Sequence, residues 1–226
     1  MNQSLIIQSP DAAPAQLILL FHGVGANEND LEPLGLGLCD EFPSALIVSL
    51  GGNEPADFGN GRQWFSIREI SEENRPARVV AALPQFIATI RHWQRASGVG
   101  LAGTALIGFS QGAIMALEAA YGASPVAGRV VAIAGRFAKL PEQAAAEVTL
   151  HLIHGKADPV IAYGHTISAA EHLIALGADL TADVLPFVGH EITPDIEELI
   201  VKRLKTYVPR RVWEEAMQAG EKVAKE

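Results

Sequence analysis

The chain has 226 residues, 49% of them hydrophobic, which suits one domain with a sizeable core. It carries 17 Lys and Arg against 26 Asp and Glu, a net charge of -9, and no basic cluster beyond Arg210-Arg211, so nucleic acid and anionic membrane surfaces are not expected as partners. No run of 18 apolar residues argues for membrane insertion, the first ten residues lack the basic region of a signal peptide, and the single Cys39 permits no internal disulfide, so a cytoplasmic setting is expected.

Apolar runs of strand length alternate with helical patterns, the signature of a mostly parallel sheet with helices on both faces. Leu5-Ile6-Ile7 reads as a weak first strand and residues 16–21 as a strong, continuously apolar one. A helix is expected over 27–39, with Asn27 or Asn29 as N-cap, then a strand over 45–50. Residues 51–74 lack periodicity, and a structureless segment of that length inside a domain is usually functional or disordered. Trp64 and Phe65 in its middle argue against disorder: they either anchor the segment on the core or line a pocket. A long amphipathic helix is predicted over 75–95, with Val79, Leu83, Phe86, Ile90 and Trp93 on one face. Next come a strand over 104–109, a helix from Ala113, a strand over 129–134, a short helix near 142–146 and a strand over 148–153. A helix over 163–176 stopped by Gly177, a strand over 181–187 and a helix over 194–207 complete a domain of residues 1–209. Residues 210–226 form a C-terminal helical extension, with Val212, Ala216, Ala219 and Val223 at helical spacing. That face either docks on its own domain or forms a homodimer contact.

The segment Gly108-Phe109-Ser110-Gln111-Gly112 lies between a buried strand and a helix, where Gly-x-Ser-x-Gly is the pattern of a nucleophile elbow. So sharp a turn strains the serine, and Gly108 and Gly112 avoid Cβ collisions with the neighbouring strand and helix. An elbow serine needs a base, and the base needs an orienting carboxylate, in the chain order Ser, Asp or Glu, His. Asp158, in Gly155-Lys156-Ala157-Asp158-Pro159-Val160, follows one strand; His190, in Gly189-His190-Glu191, follows the next. Ser110, Asp158 and His190 are expected after three successive sheet positions on one edge, where open α/β sheets place their sites.

Among the other histidines, His92, His165 and His172 read as surface residues and His151 as packed. His154, though close to the site edge, has no acidic partner at the right spacing. His22 begins the loop His22-Gly23-Val24-Gly25, whose backbone matters more than the imidazole. The N–H groups of Val24 and Gln111 are the expected oxyanion donors. No His, Cys, Asp and Glu set has metal-ligand spacing, so neither a metal nor a cofactor is assigned.

Five segments together resemble the phospholipase/carboxylesterase family of α/β-hydrolases, which includes acyl-protein thioesterases and small carboxylesterases. They are Leu20-Phe21-His22-Gly23-Val24-Gly25, Gln63-Trp64-Phe65, Gly108-Phe109-Ser110-Gln111-Gly112-Ala113, the Asp158 segment and Gly189-His190. The layout is most similar to a bacterial cytosolic serine esterase subgroup. The resemblance implies Ser110, Asp158 and His190 as catalytic triad, Val24 and Gln111 as oxyanion donors, and Trp64 and Phe65 beside the acyl pocket. Glu191-Ile192 departs from the small polar residues common in acyl-protein thioesterases and points away from protein depalmitoylation. The expectation is therefore an α/β-hydrolase fold without a cap domain, acting as a serine carboxylesterase on small or medium-chain esters. An acyl thioesterase or lysophospholipase is the alternative, and an inactive hydrolase-fold binding module the alternative of another class.

Overall fold

A computed structural model of the chain describes residues 3–122 and 124–223, the last four of these by their backbone alone. In chain order the elements are β1 (Ser4–Gln8), β2 (Gln16–Phe21), α1 (Glu32–Cys39), β3 (Ala45–Leu50), β4 (Glu54–Pro55), β5 (Arg62–Gln63) and α2 (Arg75–Ser97). Then follow β6 (Thr104–Phe109), α3 (Gln111–Ala120), β7 (Arg129–Ile133), β8 (Thr149–Gly155), α4 (Gly164–Ala175), β9 (Asp179–Leu185), α5 (Pro194–Thr206) and α6 (Arg210–Val223).

Seven strands form one sheet in the order β1-β3-β2-β6-β7-β8-β9, parallel throughout except that β1 pairs antiparallel with β3 at one edge. The alternation of side chains along β2 explains its unbroken apolar run. Leu17, Leu19 and Phe21 join the core shared with α2, α3 and α4, while Ile18 and Leu20 join the core shared with α1 and α5. Both faces are covered from Leu17 to Phe21, so those five positions are apolar, and only the exposed first residue, Gln16, is polar.

Several boundaries differ from the sequence expectation. Helix α1 opens at Glu32 rather than Asn27, because the Asn27 side chain accepts from the Asn29 amide at 2.9 Å and closes a local turn. Residues 142–146 form no helix; so short a segment gains too few bonds to offset nucleation, and it serves as part of the link between β7 and β8. That link is tied down by Glu118, whose Oε1 accepts from the Ala138 amide at 2.7 Å, and by His172, whose Nε2 donates to Pro141 O at 2.7 Å. The long segment after β3 contains the β4-β5 ribbon. Strand β7 lies between β6 and β8, so the loops bearing Ser110 and Asp158 do not follow adjacent strands as expected.

Among the described side chains, helix α6 meets the rest of the domain only at its start. Its start is held by Arg211 Nη1 donating to Thr149 Oγ1 at 3.0 Å and by the Arg210 amide donating to Asp179 Oδ2 at 3.1 Å. Beyond that, residues 212–219 are exposed, including Val212, Trp213 and Met217. The Val223 side chain and residues 224–226 lie outside the described residues.

Candidate active site

Strand β6 ends at Phe109 and α3 begins at Gln111, leaving Ser110 alone to reverse the chain. It does so at φ 52 and ψ -114, a conformation that L residues adopt only where surroundings enforce it. The enforcement is visible on both sides. A Cβ on Gly108 would sit 2.5 Å from the backbone of Gly112, and a Cβ on Gly112 would collide with the carbonyl of Phe21 on the adjacent strand. The Ser110 amide donates to Ile133 O at 2.9 Å, fastening the turn to β7.

Ser110, Asp158 and His190 are brought together by loops at the same edge of the sheet. His190 Nε2 lies 2.9 Å from Ser110 Oγ, and His190 Nδ1 lies 2.7 Å from Asp158 Oδ2. Asp158 is a carboxylate with acceptors only, so Nδ1 carries the proton and Nε2 is left to accept from the serine hydroxyl. Phe109 packs on the imidazole, ring centroids 4.9 Å apart. Asp158 Oδ1 accepts from the amides of Val160 (2.8 Å) and Ile161 (2.9 Å). Burial alone would raise the Asp158 pKa, but the His190 hydrogen bond and the two amides outweigh it and hold the carboxyl below its ordinary value.

His154, set aside on sequence grounds, has the acidic partner it was thought to lack. It is fully buried, and its Nε2 faces two acceptors, Ile161 O at 2.8 Å and Asp158 Oδ2 at 3.2 Å, so it donates there. Its Nδ1 lies 2.7 Å from Thr166 Oγ1. Two histidines therefore share one carboxylate oxygen. The pair meets through the turn after Gly155, where the Asp158 amide donates to Gly155 O at 3.3 Å, and the glycine at that strand end is the one signal the sequence offers.

The amide of Gln111 opens α3, where helix geometry leaves N–H groups free to meet an anion, and Val24 lies in the facing loop after β2. That loop is zipped to β5 by Gly25 N–H to Arg62 O (2.8 Å) and Arg62 N–H to Ala26 O (2.8 Å). The His22 side chain matters more than the sequence suggested. Its Nε2 accepts from the Gly52 amide at 2.8 Å, so Nδ1 bears the proton and donates to Gly23 O at 2.6 Å. Burial lowers its pKa and keeps it in this neutral form. The Gln111 side chain spans to the long segment: Oε1 accepts from the Trp64 amide and Nε2 donates to Phe65 O, both at 2.7 Å.

Trp64 and Phe65 part ways. The Trp64 indole is 1% exposed, donates from Nε1 to His22 O at 2.9 Å, and packs against Phe21 and Phe86. It is not among the residues lining the cavity at Ser110, and its hydrogen bond and aromatic neighbours favour the anchoring role over a place beside the substrate. Phe65 does line that cavity, a space of about 480 Å³, together with Val24, Ser110, Gln111 and Ile114. Among the described residues no cluster of His, Cys, Asp and Glu is arranged to hold a metal.

Residues 2–208 match the Phospholipase/Carboxylesterase family. The chain belongs to this family. The match ends just before α6, so that helix lies outside the family's common core. A relative, Esterase YpfH of Escherichia coli (strain K12), is 47% identical over 219 residues, spanning 97% of this chain and 94% of its own. The crystal structure of esterase PE8 superposes with a TM-score of 0.82 at 26% identity, covering 92% of this chain and 98% of that one. The Bacillus cereus carboxylesterase, at 18% identity and a TM-score of 0.75, covers 89% and 92% and shares the fold. Phospholipase/Carboxylesterase membership agrees with the α/β-hydrolase strand order and the serine elbow.

Proposed function

We propose that the protein is a serine carboxylesterase that hydrolyses small and medium-chain carboxylic esters through an acyl-enzyme. The observation that carries this reading is the relay Ser110 Oγ to His190 Nε2 (2.9 Å) and His190 Nδ1 to Asp158 Oδ2 (2.7 Å). In the first half-reaction Ser110 Oγ attacks the ester carbonyl carbon as its proton passes to His190 Nε2. Negative charge on the carbonyl oxygen meets the N–H groups of Val24 and Gln111, and Asp158 stabilises the imidazolium. Collapse breaks the bond to the alkoxy oxygen, which takes the proton from His190 and leaves as alcohol. Water then repeats the sequence on the acyl-enzyme and releases the acid. The name of the 47% identical relative, an esterase, supports the same chemistry.

A cavity of about 480 Å³ lined by Phe65 and Ile114 fits a short or medium acyl chain. An inactive binding module has no use for a serine held in a strained turn and hydrogen-bonded to a base. A fluorophosphonate probe should label the protein covalently, and Ser110→Ala should abolish the labelling. Ser110→Ala and His190→Ala should each lower kcat by roughly 10⁴-fold or more on a p-nitrophenyl ester. Retention of most activity by either variant would overturn the assignment.

The exposed apolar face of α6, with Trp213 63% and Met217 55% exposed, supports a homodimer contact through this helix. Light scattering on the protein and on Trp213→Glu tests it; a monomer at all concentrations would sink it. The lone free thiol, Cys39, supports a reducing, cytoplasmic setting, which cell fractionation tests.

A further inference from the structure

The lining of the cavity beside Ser110 includes three charged side chains, Glu72, Arg75 and Arg136, together with apolar ones such as Phe65, Ile67 and Ile70. Two guanidinium groups, those of Arg75 and Arg136, converge there on the carboxylate of Glu72. Arg136 grips it as a fork, with Nη2 2.6 Å from Oε2 and Nη1 3.1 Å from Oε1, and Arg75 Nη2 lies 3.1 Å from Oε1. The arginines are largely buried, with side chains 14% and 19% exposed, whereas the Glu72 side chain is 63% exposed.

The fork does not depend on Glu72 for its position. Arg136 Nε donates to Phe137 O at 3.3 Å, and its Nη1 donates to His165 Nε2 at 3.1 Å. Burial and then the charge of Arg136 lower the pKa of that imidazole, so it is unprotonated near neutral pH and free to accept. Arg75 Nε is buried without a hydrogen-bond partner among the described residues, a donor with capacity to spare. Two positive charges against one negative leave the wall with a surplus positive charge in a chain whose net charge is -9. The Glu72 side chain is 63% exposed, so it can turn to solvent and a second anion can compete with it for the fork. Guanidinium forks of this geometry are suited to carboxylate and phosphate.

We propose that Arg136 and Arg75 form a recognition site for an anionic group of the substrate, which Glu72 occupies at rest. The preferred esters carry a carboxylate or phosphate several bonds from the scissile carbonyl, and the substrate anion replaces the Glu72 carboxylate on the fork while Glu72 turns to solvent. This inference rests on the reading of Ser110 as nucleophile for the position of the ester, and on the arginine geometry alone for the anion.

The test compares kcat/KM within matched pairs. Phenyl hexanoate against phenyl hydrogen adipate places the carboxylate on the acyl side. Phenyl butyrate against 4-carboxyphenyl butyrate places it on the alcohol side, and a 4-phosphonooxyphenyl ester separates phosphate from carboxylate. In one of these arms the anionic ester should be favoured about tenfold, as expected of charge-assisted bonds to a prearranged fork. Arg136→Gln or Arg75→Gln should lower the anionic-to-neutral ratio by a similar factor, and Glu72→Gln should raise it. Equal rates within every wild-type pair, or equal losses on both members in the arginine variants together with a lower Tm, would overturn the proposal and leave the arginines as a loop fastening. Calorimetric binding of adipate to Ser110→Ala keeps this outcome separate from the catalytic reading. Binding that is lost in the double variant Ser110→Ala/Arg136→Gln supports the anion site even if no ester is hydrolysed, and no binding at millimolar adipate counts against it.

Discussion

Replacing Trp64 by Phe decides whether the indole holds the segment after β3 in place or senses the acyl chain. Phenylalanine keeps an aromatic ring against Phe21 and Phe86, whose centroids lie 5.5 and 5.1 Å from the indole, but removes the Nε1–H that donates to His22 O. Leaving that buried carbonyl without its donor costs about 1–3 kcal/mol. The volume lost at a side chain only 1% exposed adds about 1 kcal/mol, for a total near 3 kcal/mol. That is a large part of the roughly 5–15 kcal/mol that keeps a domain folded. At about 2–4 °C per kcal/mol for a chain of this size, Tm should fall by about 6–12 °C. Because the indole stands behind the cavity wall, kcat/KM for acetate, butyrate and octanoate esters of one alcohol should drop by a common factor. Phe65→Ala is the contrasting case: that side chain borders the cavity, so its loss should grow with acyl length, by up to about 0.8 kcal/mol for each methylene it had covered. The reasoning is refuted if Trp64→Phe leaves Tm unchanged and reorders the three esters.

Three further outcomes follow from the same geometry. His154→Leu removes the buried Nε2–H donor from Asp158, and a bond to a charged group contributes about 1.5–3 kcal/mol, so kcat should fall roughly tenfold to a hundredfold with KM little changed; a KM effect alone would assign His154 to the loop instead. Burial and then Arg129 push the His151 pKa down from 6.5 to about 4, so the folded chain keeps this imidazole neutral where the unfolded chain protonates. Its contribution is intact above pH 6.5 and is lost as pH falls toward 4, costing about 2 kcal/mol between pH 7 and pH 5; urea midpoints should show a smaller loss for His151→Gln, and equal losses would refute it. Gly112→Ala should lose activity and at least about 3 kcal/mol of stability, since the added Cβ meets the Phe21 carbonyl rather than a movable side chain; normal activity in that variant would remove the steric account of the elbow.

The sheet was legible because a strand buried on both faces is apolar along nearly its whole length; in β2, β3 and β6 only the small hydroxyl residues Ser49 and Thr104 are buried among the apolar ones. Residues 16–21, 45–50 and 104–109 announce themselves, and the structure forms strands at those bounds. Where an element is decided by side-chain bonds to the backbone, sequence pattern misleads. Asn27 has the composition of a helix N-cap, yet the same oxygen closes a turn with Asn29, and α1 waits until Glu32. Residues 142–146 have a helix-forming composition but no neighbour that needs a helix there. The face of α6 is amphipathic in sequence and exposed over residues 212–219, because periodicity states that a face is apolar and not what covers it.

For the site, residues that follow strands are read more easily than residues that meet through loops. Ser110, Asp158 and His190 each stand just past the carboxyl end of a parallel strand, so topology alone carries them to one edge. His154 and Gln111 depend on something else. Four residues of extended chain span about 13 Å, so a histidine at the end of a strand and an aspartate four positions on are not natural partners. They meet because the chain doubles back at Gly155, where the Asp158 amide donates to the Gly155 carbonyl at 3.3 Å. A Cβ at Gly155 would collide with Val188 O, so glycine there lets the loop bearing His190 approach this strand end closely. Gln111 in turn reaches residues 46 and 47 positions earlier, a separation no local pattern encodes. Its side chain holds the Trp64 amide and the Phe65 carbonyl while its backbone opens α3, so in the proposed mechanism this residue ties the oxyanion position to the cavity wall at Phe65. A change at Trp64 is thereby transmitted to the amide of Gln111 without touching substrate, which is why a uniform loss across acyl lengths, rather than none, is the expected signature of the anchor.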